Sequence, residues 1–261
     1  MSNSEGYDAI ARVYDKLNRD IDYSLWADFV ERCFGRYLVE KPRLVLDLAC
    51  GTGSMTTELS DRGYDMIGVD RSEDMLSEAY LRSEGKGILY LLQDMRSFEL
   101  YGTVGAVVCC LDSINYLLSA EDVEKTFRKV HNYLDPDGLF LFDMNTPFKF
   151  ENIYSDNAYI LEDEIDYGDG GPAAAVFCGW QNQYDHESRI CTFYLSLFEE
   201  NEDGGYTRSD EEQRERCYEL SEIKELLEKC GFELRGVFGG YDFSEVNERT
   251  ERWYIAATAK K

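Results

Sequence analysis

Two apolar runs that each carry an aspartate at or near their end constrain the fold of this 261-residue chain more than anything else in it. Leu44-Val45-Leu46-Asp47-Leu48-Ala49 runs straight into Cys50-Gly51-Thr52-Gly53, and Met66-Ile67-Gly68-Val69 closes on Asp70. The first run has the length and branching of a buried parallel strand. Thr57, Glu58 and Leu59 then take the chain into a helix. Glycine at 51 and 53 lets backbone N–H groups approach a ligand closely where that helix begins. Asp70 falls at the carboxyl end of the next strand, where an α/β sheet offers an acceptor to ribose hydroxyls. Together these features predict a site for a nucleoside-bearing cofactor.

The downstream pieces fit the same frame. Ile88 to Leu92 reads as a third strand followed by Gln93-Asp94-Met95-Arg96, and Ala106 to Leu111 as a fourth that ends in the polar stretch Asp112-Ser113-Ile114-Asn115-Tyr116-Leu117. Ser119 with Asp122 three residues on has the form of a capping box, opening a helix with Val123, Phe127, Val130 and Leu134 on one face. Asp135-Pro136-Asp137-Gly138 predicts a turn. Leu139 to Phe142 is the fifth strand, ending in Asp143-Met144-Asn145. Five strands alternating with helices give an α/β fold with a doubly wound, Rossmann-like parallel sheet.

The pattern changes on either side of this core. Residues 1–40 read as a helical arm or lid: Tyr7, Ile10, Ala11 and Tyr14 share one face, and Leu25, Trp26, Phe29, Val30, Cys33, Phe34 and Tyr37 form a 3.6-period stripe. The core proper spans 41–149. Residues 150–217 contain four extended segments (158–167, 175–185, 189–199 and 206–218) separated by turn formers, which predicts an antiparallel β insertion. Apolar residues alternate on both sides of 190–198, so that strand is expected to be covered on both faces. The insertion is expected over the carboxyl edge of the parallel strands, walling an acceptor pocket with Trp180, Gln181, Tyr184 and Arg189 as candidates and offering a homodimer contact. Residues 218–261 return to the core: Ile223, Leu226, Leu227 and Cys230 on a helix stopped by Gly231, then strands over 232–238 and 253–259.

Composition narrows the function. With 52 acids against 27 bases the net charge is -25, and no basic run exceeds Lys260-Lys261. A nucleic-acid partner, whose affinity comes mostly from clustered Lys and Arg, is disfavoured. A small neutral or cationic substrate suits this balance. No apolar run approaches the ~18 residues of a membrane span, and Met1-Ser2-Asn3-Ser4-Glu5 has no secretion-signal order, so a cytoplasmic protein is expected. The eight cysteines contain no C-x-x-C and read as small buried hydrophobes. Only His131 and His186 are present, and no metal site is expected.

Two cofactor classes use a glycine loop of this kind. A nicotinamide dinucleotide wants G-x-G-x-x-G/A, but the run from Gly51 reads G-T-G-S-M-T with Thr56 in the third position. The stretch Asp47-Leu48-Ala49-Cys50-Gly51-Thr52-Gly53 instead resembles motif I of the class I S-adenosylmethionine (SAM) methyltransferases, with Ala49 in place of the usual first glycine. Over nearly its full length the chain is similar to a bacterial family of small-molecule SAM-dependent methyltransferases and, more distantly, to amino-sugar N-methyltransferases. Tyr14-Asp15, Gln93-Asp94-Met95-Arg96, Asp112 to Leu117, Cys230-Gly231-Phe232 and Glu251-Arg252 also carry the likeness.

The resemblance implies a seven-stranded, mostly parallel sheet, SAM as cofactor and S-adenosylhomocysteine as product. It implies cofactor contacts from Tyr14, Trp26, Asp47, Ala49, Cys50, Gly51, Gly53, Asp70, Arg71, Met75, Asp94, Met95, Cys110 and Leu111. An aromatic ring such as Tyr14 can stabilise a sulfonium. Tyr14, Asp112 and Tyr116 are the catalytic candidates, with Asn115, Asp143 and Asn145 around them. The expected reaction is methyl transfer to a nitrogen or oxygen of a small molecule. A SAM-holding sensor without turnover and a nicotinamide-dependent oxidoreductase are the alternatives.

Overall fold

The central strand β1 (Leu44–Leu48) explains the architecture: Val45 to Leu48 are all buried, so both of its faces must be covered. It pairs in parallel with β2 (Asp65–Asp70) on one side and β4 (Val104–Cys109) on the other. In the computed structural model, which describes residues 21–165, 173–201 and 203–261, β3 (Leu89–Leu92), β5 (Leu134–Asn145), β10 (Phe232–Phe238) and β11 (Arg252–Ala259) complete a seven-stranded sheet. The order is β10-β11-β5-β4-β1-β2-β3, with β11 antiparallel to both neighbours. This is the class I methyltransferase sheet that the resemblance implies. The chain's N-terminal expectations, the helix over Tyr7 to Tyr14 and the role of Tyr14, lie outside the described residues.

Helices cover both faces. Helix α1 (Tyr23–Tyr37) buries Trp26, Phe29, Val30 and Phe34 against Val45, Ala106, Val108 and Leu141, together with Met55 and Leu59 of α2 (Ser54–Asp61). On the other face, α4 (Ala120–Tyr133) and α6 (Leu220–Lys229) bring Val123, Phe127, Val130, Ile223 and Leu227 onto Leu46, Val107, Phe140 and Phe142. Ser119 caps α4 by accepting from Asp122 N at 3.1 Å. Helix α3 (Glu73–Arg82) lies beside the sheet edge, with Leu76 and Ala79 on Tyr90. All eight cysteines are free and buried. No helix among the described residues is long and apolar enough to cross a membrane.

Two expectations are corrected. The Asp135–Gly138 turn does not precede the fifth strand but sits inside it. Val104 pairs with Leu134 and Ala106 with Leu139, so the four residues 135–138 of β5 stand against the single Gly105 of β4 and the turn residues bulge out, Asp137 at φ 58°. The second concerns the insertion, a four-stranded antiparallel meander of β6 (Ala158–Ile165), β7 (Ala174–Asp185), β8 (Ile190–Glu200) and β9 (Tyr206–Arg216). Strand β8 buries one face only: Cys191, Phe193, Leu195 and Leu197 pack with Val176, Cys178 and Phe150 of α5 (Pro147–Asn152). The opposite row remains open because Tyr194 and Ser196 face a cavity, and Tyr194 is 41% exposed.

Gly68, in the middle of β2, is the tightest point beside the site. A Cβ there would lie 2.5 Å from the Tyr90 ring and 2.9 Å from Cys50 Sγ. Gly68→Ala is expected to cost about 1–3 kcal/mol by overpacking, read in a thermal melt as roughly 2–4 °C in Tm per kcal/mol; an unchanged Tm would show that the ring and thiol move aside freely.

Candidate active site

The loop after β1 reverses the chain through three left-handed residues, Ala49 (φ 60°), Gly51 (φ 53°) and Gly53 (φ 74°). Glycine takes that conformation without penalty, whereas for Ala49 it costs on the order of 1–2 kcal/mol. A Cβ on Gly53 would sit 2.9 Å from the Ala79 Cβ, so helix α3 packs where only glycine fits; one on Gly51 would meet nothing nearer than Met75 Sδ at 4.0 Å. The Gly51 position is therefore an open cradle. The loop is tied to β2: Cys50 N donates to Val69 O at 3.0 Å and Gly51 N to Asp70 Oδ2 at 2.8 Å. Ser72 N donates to Asp70 Oδ1 at 2.9 Å. Burial raises the Asp70 carboxyl, offset in part by these N–H groups, and each of its oxygens retains acceptor capacity toward the cavity it lines.

Asp47 lies one turn deeper, 1% exposed. Its Oδ2 accepts from Thr56 Oγ1 at 2.5 Å, which is why threonine rather than glycine stands at that helix position. Its Oδ1 is buried with no hydrogen-bond partner among the described residues. An annex of about 30 Å³ opens there, lined by Tyr23, Asp47, Thr52, Met55 and Cys110. Burial pushes the Asp47 carboxyl up to about 7, against the pull of the Thr56 hydrogen bond and with the help of the Asp70 charge. An orphaned carboxylate oxygen over a small annex is a place for a cationic N–H donor.

Beside the annex lies a cavity of about 990 Å³. Ala49, Gly51, Leu111 and Ser113 line both spaces and so form the junction. One wall of the large cavity is the carboxyl edge of the parallel sheet, with Asp70, Gln93, Asp94, Met95 and Leu111; the other is the insertion, with Tyr194, Ser196 and residues 208 and 210–214 of β9. Asp94 is held by Arg96, whose Nε lies 2.9 Å from Oδ1, and this hydrogen bond lowers its carboxyl below the ordinary value. Across the cavity, Tyr116 Oη donates to Gln213 Oε1 at 3.0 Å, and Gln213 Nε2 donates to Glu211 Oε1 at 2.6 Å. Among the described residues the lining carries six carboxylates (Asp70, Asp94, Asp122, Asp210, Glu211 and Glu212) against four arginines, an acidic balance that suits a cation.

Behind the junction lies a buried charged cluster. Leu111 (φ 55°) and Asp112 (φ 52°) are consecutive left-handed residues at the end of β4. Asp112 N donates to Asp143 Oδ2 at 3.0 Å, and Arg252 pairs with both acids, its Nη2 2.6 Å from Asp112 Oδ1. Burial opposes ionisation of Asp112, but the Arg252 and Lys149 charges outweigh it and hold that carboxyl low. Asp143, more deeply enclosed, is raised by burial. From β9, Glu215 accepts from Asn145 Nδ2 at 2.9 Å, while burial and the Asp112 charge push it well above the usual carboxylate range. Asn115 closes the corner by donating to Arg216 O at 2.9 Å and accepting from Asn145 N at 3.0 Å.

Of the residues named from sequence, Ala49, Gly51, Asp70, Arg71, Met75, Asp94, Met95, Leu111 and Tyr116 line the large cavity, and Asp47, Cys50 and Cys110 the annex. Gly53 serves as the N-cap of α2. Asp112 faces Arg252 and lines neither space. Trp26 packs on Tyr241 and Tyr254 and also lines neither. The insertion candidates fall elsewhere: Trp180 Nε1 donates to Asn182 within β7, Tyr184 packs on Phe150, and Arg189 pairs with Glu219. The register of the hairpin assigns the wall to β9 instead. Arg208, Asp210, Glu212 and Arg214, a period-two row of charge visible in the sequence, was the available signal. Lys149 and Glu215 had none, and Arg252 stood out only through the likeness at Glu251-Arg252, because only tertiary structure joins the three. His186 packs on Tyr184 and His131 on Phe232, and no metal-ligating cluster occurs among the described residues.

Comparison with known proteins gives the same direction. Residues 45–138 match the family described as methyltransferase domain. The Bacillus subtilis protein YqeM, provisionally named a methyltransferase, is 35% identical over 98% of both chains. The crystal structure of a S-adenosylmethionine-dependent methyltransferase from Clostridium acetobutylicum has a TM-score of 0.81 at 32% identity, covering 98% of this chain and 99% of that one. A Streptomyces venezuelae dTDP-3-amino-3,4,6-trideoxy-alpha-D-glucopyranose N,N-dimethyltransferase is 30% identical over 148 residues, 56% of this chain and 60% of that one.

The raised Asp47 carboxyl makes stability depend on pH. A group raised in the folded state contributes stability that is complete below its unfolded value, 3.8, and is lost as pH rises through its folded value, about 7. Urea unfolding at pH 5.5 and pH 8 is expected to show a larger loss for the parent than for Asp47→Asn, which cannot ionise; equal losses would mean that Asp47 is charged throughout.

Proposed function

The chain belongs to the S-adenosylmethionine-dependent methyltransferases, and from that premise we propose that it methylates an amine nitrogen of a small molecule in the chamber between the glycine-loop edge and β9. The observation that supports this reading is the acidic lining of the chamber, which adjoins an annex where Asp47 Oδ1 has no hydrogen-bond partner among the described residues. SAM supplies the activated methyl group. The residues present fit it: Asp47 and the Gly51 cradle for the amino-acid end, Asp70 for ribose hydroxyls, and Asp94 with the Met95 N–H for adenine.

What the chain itself does is position and exclude. The sheet edge and β9 enclose the reacting groups away from bulk water, and alignment alone contributes several kcal/mol to a displacement, of the ~7–11 available in well-oriented reactions. An ammonium is drawn into the acidic chamber and must lose a proton before it can attack. With no histidine in the lining, a carboxylate is the group that takes it, and Glu211, hydrogen-bonded to Gln213, is placed to do so. A hydroxyl acceptor would need a stronger base than this set provides. The Streptomyces venezuelae relative, named for an amino-sugar substrate, supports an amine over an alcohol.

Turnover with a labelled methyl donor is expected on primary or secondary amines and not on the matching alcohols; the reverse preference would overturn the nitrogen assignment. Asp70→Ala should weaken SAM binding about ten- to a hundredfold by calorimetry, as a charge-assisted acceptor contributes roughly 1.5–3 kcal/mol. Asp94→Ala should cost less, because Arg96 already engages that carboxylate and water replaces part of the contact. A folded Asp70→Ala protein with parent affinity would sink this assignment of the ribose site.

A further inference from the structure

The junction between annex and chamber is formed on one side by the glycine loop and on the other by Leu111 and Ser113. On the proposed reading, a ligand that reaches from Asp47 to Asp70 must cross it. The Leu111–Asp112 backbone that shapes this wall is left-handed at two consecutive non-glycine positions, a conformation that persists only when the surroundings hold it. Three parts of the chain do so. Asp143 at the end of β5 accepts from Asp112 N. Arg252 at the start of β11 binds both acids. Glu215 comes from the insertion and is held at 2.9 Å by Asn145, whose backbone N donates to Asn115 Oδ1 at 3.0 Å, and Asn115 N donates in turn to Asp112 O at 2.7 Å.

We propose that Arg252 and Glu215 are positioning residues for methyl transfer, which lock the Leu111–Ser113 corner and thereby set the width of the passage between annex and chamber. The insertion sheet is then part of the cofactor site as well as a wall for the acceptor. Glu215 stands in a row with Glu211 and Gln213 on the inward face of β9. The first two members of that row, Glu211 and Gln213, line the chamber, while Glu215 is 2% exposed and faces the Arg252 cluster. The row thus runs from the acceptor side directly to the corner.

The inference rests on the cofactor placement proposed above, and two ligands separate the two. SAM must cross the junction, whereas adenosine needs only the Asp70 and Asp94 side. Glu215→Leu and Arg252→Lys, each checked for folding by its ligand-free melt, should weaken SAM by roughly tenfold or more while leaving adenosine within about twofold. Glu215→Gln, which keeps a hydrogen-bonding side chain of the same shape, should restore SAM affinity. Parent-like SAM affinity in the folded Glu215→Leu protein, or an equal fall for SAM and adenosine, overturns the positioning role. If Arg252→Lys does not fold, the Glu215 pair of variants decides alone. Adenosine binding that is absent from the parent, or indifferent to Asp70→Ala, overturns the underlying cofactor placement, and the positioning role with it.

Discussion

The constraint on which the rest depends is that β1 is buried on both faces between β2 and β4. A strand covered by helices on either side has no lateral exit for polar groups, so its chemistry is confined to its carboxyl edge. Parallel pairing then brings the ends of β2 and β4 to the same edge. Asp47 shows how tight this is. It is buried within the strand, one oxygen satisfied by Thr56 and the other facing the annex. The glycine loop does not stand free above that edge; Gly51 N and Cys50 N fasten it to the end of β2. The position of Asp70 is thus fixed by the same two neighbours that shape the loop.

Much of this was legible in the sequence because it is local. The runs at 44–49 and 66–70, the Ser119 cap and the four segments of the insertion each announce themselves within a dozen residues, through branching, alternation or turn formers. The aspartates after the strands were legible as edge residues, but their partners were not. Asp94 turns to Arg96 two residues away, whereas Asp112 turns to Arg252, 140 positions downstream, a pairing that only the neighbouring placement of β4, β5 and β11 creates. Trp26 was legible as apolar, and its stripe does pack inward; no local rule distinguishes a ring over a cofactor from one over Tyr241. Tyr194 and Phe193 likewise alternate in sequence without revealing which row meets the core.

The cluster behind the junction obeys a different accounting from the surface. Buried charges are costly unless paired and hydrogen-bonded. Arg252 pairs with both Asp112 and Asp143, while burial together with the Asp112 charge pushes the Glu215 carboxyl well above the usual carboxylate range. Asn145 Nδ2 donates to Glu215 Oε2 at 2.9 Å, which satisfies one of its buried oxygens. The surface pairs Arg208–Asp210 and Arg214–Glu212 are half-exposed, and pairs of that kind contribute little to stability. Their value lies in lining the chamber.

Strand β9 carries both kinds of residue at alternate positions, and on the proposed reading this gives the insertion two roles. Arg208, Asp210, Glu212 and Arg214 point to one face, with Glu211, Gln213 and Glu215 on the other. Because β9 is the edge strand of its sheet, residues of both rows reach the cavity near its middle, but only the inward row continues to the corner at Asp112. The outward row can therefore change its charges without disturbing the contacts that hold the left-handed corner. A change in the inward row has no such freedom, since each member is hydrogen-bonded to the next or to the core: Glu211 to Gln213, Gln213 to Tyr116, Glu215 to Asn145. Separating a charged, half-exposed row from a buried, hydrogen-bonded one by strand parity is a direct result of the two-residue period of β structure.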